Sequence, residues 1–131
     1  LLAPASLEGV GLSARSPPRV EAYSFGEMII DGRRYTSDVI IRPDGVLDNW
    51  WRREGHKLHM EDLEKALEVE PEVLVIGTGY SGLMKVPREL LEELKERGIE
   101  VVVEETRRAW RTYNELASSG RKVVGAFHLT C

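Results

Sequence analysis

The stretch "PEVLVIGTG", residues 71–79, limits the fold of this chain more than any other. Val73, Leu74, Val75 and Ile76 follow one another with no polar position among them, so the segment reads as a strand covered on both faces. The residues that follow supply the cover. In "VPRELLEELKERG" the apolar period changes from two to between three and four, so that Leu90, Leu91 and Leu94 share an inner face. Pro87 takes the first helical position and Gly98 lies past the end, while Glu93 and Arg97 make an outer i,i+4 pair. "IEVVVEE" is a strand, and "TRRAWRTYNELASSG" is a helix with Thr106 as N-cap and Gly120 near the C-terminal cap. "RKVVGAFHLT" reads as a further strand. This β-α-β-α-β order needs helical crossovers, so at least its first two strands run parallel.

The first half has a different rhythm. From Val20, "VEAYSF" and "EMII" are separated by Gly26, and Asp31-Gly32 is a hairpin signal. "YTSDVIIR" is expected as one strand ending at the turn Pro43-Asp44-Gly45, with "VLDNWW" returning beside it. "HMEDLEKALEVEP" then puts Leu63, Ala66 and Leu67 on one helical face, with Glu61 and Asp62 in the first turn and Pro71 as the stop. The expected class is therefore α/β, with N-terminal antiparallel hairpins leading into the alternating half. Residues 1–19, rich in Ala, Ser, Gly and Pro, are expected as a flexible tail, and residues 20–131 as a single α/β domain. Arg15, Arg19 and the serines nearby would also suit the end of an organelle transit peptide.

Charge narrows the partners. Eighteen basic against 22 acidic residues give −4, so the electrostatic drive toward nucleic acid or an anionic membrane is missing. No apolar run approaches the roughly 20 residues of a membrane span. The one cysteine, Cys131, has no internal partner and fits a reducing compartment. Cytoplasm is the expected location, with the mitochondrion as the alternative. A monomer or weak homodimer is the expected state.

Gly77, Gly79 and Gly82 spell G-x-G-x-x-G after the buried strand, the pattern of a dinucleotide site. Such a site opens its helix inside the glycine motif, so that free N–H groups meet the pyrophosphate. Here residues 83–86 separate Gly82 from Pro87, which belongs at a helix start. The glycines are better read as a turn that needs positive φ and close backbone packing. The loop still lies at the carboxyl end of a buried strand, where α/β sheets bind ligands. Thr78, Tyr80 and Ser81 bring hydroxyls to it, and Leu83 and Met84 bring apolar surface. Thr106 and Asn114, on the last helix, could complete a small-molecule pocket or bond the loop.

Other residues carry chemistry in principle. His56-x-x-His59 and His128-x-x-Cys131 are zinc-ligand types, but their spacing matches no compact zinc motif, so no metal is assigned. His56 and His59 are expected to shape the helix entry. Trp50 and Trp51 with Arg52 and Arg53 form an aromatic and basic knot of the kind found at interface hot spots. If the strand continues through them, alternation exposes one tryptophan. Ala109, Trp110, Tyr113, Leu116 and Ala117 follow a helical core stripe.

Several of these features occur together in a known group. The G-x-G after the buried strand, Pro87 opening a helix, Thr106 before the next, Tyr113-Asn114 within it, Gly120 after it and the ending "VVGAFHLTC" resemble a family of small α/β domains of unknown function. That family includes an adipogenesis-associated animal protein, archaeal and bacterial proteins and a mitochondrial complex I assembly factor. The ending is most similar to the animal and archaeal branch. The resemblance implies a three-layer single domain with a mixed central sheet and added β-hairpins. It implies no catalytic residue and no cofactor. Two functions are open: a non-catalytic interaction or assembly module, using Leu83, Met84, Trp50 or Trp51 to meet other proteins, and a small-molecule binding protein or enzyme at residues 77–82.

Overall fold

The computed structural model describes residues 16–131. Among the described residues eight strands form two sheets, accompanied by three α-helices. β1 (Val20–Ser24), β2 (Glu27–Ile30) and β3 (Arg33–Tyr35) make an antiparallel sheet in that order. Asp31 and Gly32 both take positive φ, 49° and 80°, as a two-residue hairpin of right-twisted strands demands. The predicted strand "YTSDVIIR" is in fact two. Between β3 and β4 (Val39–Arg42) the chain leaves one sheet for the other. Ser37 and Asp38 at that break are bound from outside the strands, by the amides of Asn49 at 2.9 Å and Trp50 at 2.9 Å.

The larger sheet has the order β5-β4-β8-β6-β7, with β5 (Gly45–Leu47) and β7 (Glu100–Glu104) at its edges. β6 (Val73–Thr78) runs parallel to β7 and to β8 (Val123–His128), while β8 is antiparallel to β4. The last strand in chain order thus lies at the centre of the sheet. A 3-10 turn (Met60–Leu63) leads into α1 (Glu64–Leu67), a shorter helix than the periodicity suggests. α2 (Arg88–Glu96) and α3 (Thr106–Ser118) provide the crossovers. Each start is one residue from the expected one: Pro87 is the N-cap of α2, not its first residue, and Glu105, not Thr106, is the N-cap of α3.

Strand alternation divides the core into two sides of one sheet. Val73, Val75, Val123 and Phe127 pack with Ala109 and Tyr113 of α3 and with Val20, Met28 and Ile30 of the small sheet. Leu74, Ile76, Val124 and Ala126 pack with Leu63 and Ala66 beside α1 and with Leu90 and Leu94 of α2. Every residue of β6 and β8 is buried, as the unbroken apolar run requires. The result is a three-layer α/β domain.

Of the segment expected as a tail, residues 1–15 lie outside the described residues. Its last part is held: Pro18 is buried and its carbonyl accepts the Tyr113 hydroxyl at 2.7 Å. The Arg19 amide donates to the Asp31 carboxylate at 3.0 Å.

Candidate functional site

The connections leaving β6 and β7 run to opposite faces of the sheet, so the carboxyl ends of these two strands form its switch point. Residues 77–82 lie there, and the protein fills the crevice itself. A Cβ on Gly77 would stand 2.6 Å from Phe127 Cδ1 and 2.7 Å from Thr106 Oγ1. Gly79 has φ +107°, and a Cβ there would stand 2.5 Å from the Cys131 carbonyl. Most of the loop amides, which in a phosphate cradle face the ligand, are taken. Gly79 N donates to Thr106 Oγ1 at 2.9 Å, Tyr80 N to Thr130 O at 2.7 Å and Leu83 N to Cys131 O at 3.1 Å. Thr106 Oγ1 donates onward to His128 O at 2.7 Å, so this threonine pins the loop to the end of β8.

Thr106 therefore converges with Gly77 and Gly79, but Asn114 does not. Its amide clamps β1 instead, accepting from Val20 N at 3.0 Å and donating to Val20 O at 2.8 Å. The two residues are separated by about two helical turns, roughly 12 Å along the α3 axis, which excludes one pocket for both. Met84, expected as loop surface, is buried in the core beside Leu90. Its amide donates to Thr78 O at 3.1 Å. Ser81, Tyr80 and Leu83 stay on the surface, and Thr78 is buried with its hydroxyl 3.3 Å from Glu104 O.

The tryptophans divide as alternation would divide them, for another reason. β5 ends at Leu47, and Asn49 with φ 56° breaks the strand before Trp50. Trp50 is buried, with Nε1 donating to Asp62 O at 2.8 Å and the Arg52 guanidinium 4.8 Å above its ring. Trp51 is 77% exposed. His59 caps the 3-10 turn: its amide donates to Asp62 Oδ2 at 2.8 Å, while its ring meets Glu54 at 2.8 Å. His56 is exposed, with its ring 5.9 Å from that of His128. Among the described residues no three His, Cys, Asp or Glu are grouped to hold a metal ion.

One constellation had no signal in the sequence. Asp38 Oδ2 lies 2.7 Å from Arg52 Nη1 and 2.9 Å from His128 Nδ1, and Asp38 Oδ1 accepts the Leu129 amide at 2.7 Å. His128 Nδ1 stands between an acceptor and a donor, Asp38 Oδ2 at 2.9 Å and Arg52 Nη2 at 3.0 Å. Burial pushes the Asp38 carboxyl up, but the hydrogen bonds from His128, Leu129 and Arg52 outweigh it and hold it below its ordinary value. The cluster is walled in: among the described residues His128 Nε2 and Arg52 Nε are buried without a partner. Its members are separated by 14 and 90 residues, so no local motif could announce them.

Around the mouth of the glycine loop lies an apolar patch. Phe25 is 56% exposed and Leu83 49%, with Tyr80 beside them at 37%. The Phe25 and Tyr80 rings meet edge-on at 5.8 Å, Tyr23 is 6.3 Å from Tyr80, and the Arg107 guanidinium lies 4.7 Å over the Tyr80 ring. The Tyr23 hydroxyl donates to Leu129 O at 2.7 Å, which ties the patch to the end of the central strand.

Architecture and loop together define a small three-layer α/β domain whose glycine-rich switch point is closed by its own chain. It belongs to the family described as "Protein of unknown function (DUF498/DUF598)", whose profile matches residues 20–128. The chain is similar to a zebrafish (Danio rerio) protein named NADH dehydrogenase [ubiquinone] 1 alpha subcomplex assembly factor 3, 34% identical over 82% of this chain and 62% of that one. The human (Homo sapiens) protein of that name is 31% identical over 82% of this chain and 58% of its own length. The chain thus spans about three-fifths of these curated relatives. A conserved hypothetical protein from Pyrococcus horikoshii OT3 has a similar crystal structure, with TM-score 0.73, 28% identity and cover of 86% of this chain and 99% of that one. Among the described residues no helix is long and apolar enough to cross a membrane.

Proposed function

We propose that this domain is a non-catalytic protein-interaction module of the assembly-factor kind, which meets its client through Phe25, Tyr80 and Leu83. The exposed Phe25–Tyr80 ring pair, with exposed Leu83 three residues beyond Tyr80 in the same loop, carries the reading. Large aromatic groups held in place before binding lose little freedom on contact, which is why such groups dominate interface energies. Tyr23 and Arg107 both pack against the Tyr80 ring. A ligand-binding role for residues 77–82 has less support, since Gly79, Tyr80 and Leu83 already donate their amides within the chain. Relatives named as assembly factors agree with a role toward other proteins, without extending the complex I assignment to this chain. We place that role in the cytoplasm, where a lone thiol such as Cys131 stays reduced, and cell fractionation checks the location.

Cross-linked affinity capture from native extract tests the module. The wild-type domain should retain a defined set of proteins that a Phe25→Ser/Leu83→Ser variant loses at unchanged thermal stability. Identical sets from the two proteins would overturn the assignment.

A further inference from the structure

A second surface, which shares no residue with the Phe25 patch, has chemistry of its own. A cleft of about 660 Å³ opens between the end of β5 and the turn leading into α1. Leu47, Trp50 and Trp51 supply apolar lining. Among the described residues Trp50 carries Arg52 on its face, whereas Trp51 has neither a cation nor another ring against it.

The rim is acidic beyond its own needs. Asp48, Glu61, Asp62 and Glu64 line it against Arg53 and Lys65. Both cations have partners already, Arg53 with Glu61 at 2.9 Å and Lys65 with Glu68 at 3.4 Å. Asp62 accepts the amides of Arg53 and His59. Among the described residues Asp48 and Glu64 make no ion pair. A bare indole face beside two unmatched carboxylates attracts an organic cation and repels an anion. The apolar lining suits the methylene stem that an arginine or lysine carries. Among the described residues β5 is an edge strand, paired only with β4, and its final residue lines the cleft, so an extended segment laid along that edge can aim a side chain inward.

We propose that this cleft binds an arginine or lysine side chain from an extended basic segment of a partner protein, with Trp51 as platform and Asp48 and Glu64 as counter-charges. The inference goes beyond the Phe25 surface and stands or falls separately from it.

A panel of end-blocked hexapeptides with one to three arginines or lysines in a Gly/Val background tests it, read by tryptophan fluorescence and by the indole N–H resonance of Trp51. At least one peptide should bind the wild-type domain, and its citrulline or norleucine counterpart should not. Trp51→Leu, which removes a solvent-facing ring, should weaken binding by about tenfold or more, and Asp48→Asn/Glu64→Gln by several-fold with a reduced salt dependence. Phe25→Ser/Leu83→Ser should bind the peptide normally, which separates this surface from the first. The idea is overturned if no peptide binds below about 1 mM, or if Trp51→Leu binds as wild type does. Equal binding of acetyl-arginine methylamide would overturn the protein segment in favour of a free small cation.

Discussion

Gly79 shows how much a single residue decides here. Its φ of +107° lies where a side chain is strained, and the place a Cβ would take is occupied by the Cys131 carbonyl and, at 2.8 Å, by His128 Cδ2. Strain and steric conflict add, because relieving either requires the loop to leave the end of β8. Gly79→Ala should therefore cost about 2–4 kcal/mol, read as a lower urea midpoint. Gly98, which also has positive φ but open space around it, should lose only the conformational share, about 1 kcal/mol, on the same change. If the two variants proved equal, crowding at the switch point would not be what selects glycine at position 79.

At the scale of elements, the small sheet depends on one side chain of α3. Asn114 exchanges two hydrogen bonds with Val20, and both of its polar atoms reach the β1 backbone across the core. Asn114→Ala leaves a buried amide and carbonyl short of partners, at about 2–3 kcal/mol. Amide exchange should speed first in β1 and β2 and leave β6 protected; uniform loss of protection would show that the clamp serves the whole domain. Elements of this kind were legible in sequence as far as their signals were local. The apolar run of β6, the proline before α2, the Asp31-Gly32 turn and the stripe of α3 each lie within one window of the chain. The break at Ser37 and Asp38 was not legible, because the bonds that stabilise it come from Asn49 and Trp50. Asn114 looked like a wall of the glycine loop because spacing gives a helix face but not the element opposite. The Asp38, Arg52 and His128 cluster was invisible for the same reason, whereas the exposed tryptophan was anticipated although the expected strand stops short of it.

On the scale of the whole molecule, that cluster governs behaviour in acid. Asp38 has a folded-state pKa below its ordinary value of about 3.9, so the unfolded chain takes up the proton first as pH falls. Its stabilising effect is complete above about pH 4 and disappears as the pH drops through the folded value. Asp38→Asn should lower stability at pH 7 by about 3 kcal/mol, since Arg52 loses its counter-charge, and should flatten the decline between pH 4 and pH 2. Urea midpoints at the two ends of that range check both, and an acid limb as steep as the wild type's would remove Asp38 from the account. The central position of β8 has a further consequence, in time. Among the described residues β4 reaches β6 only through β8, so a chain cut before Val123 holds the larger sheet as two separate ribbons, β4 with β5 and β6 with β7. Pairing across that distance closes long loops before any contact repays them, so folding should be slow and all-or-none. During synthesis the sheet cannot join until Val123–His128 is available, and until then both ribbons present unpaired edges to the cell's chaperones.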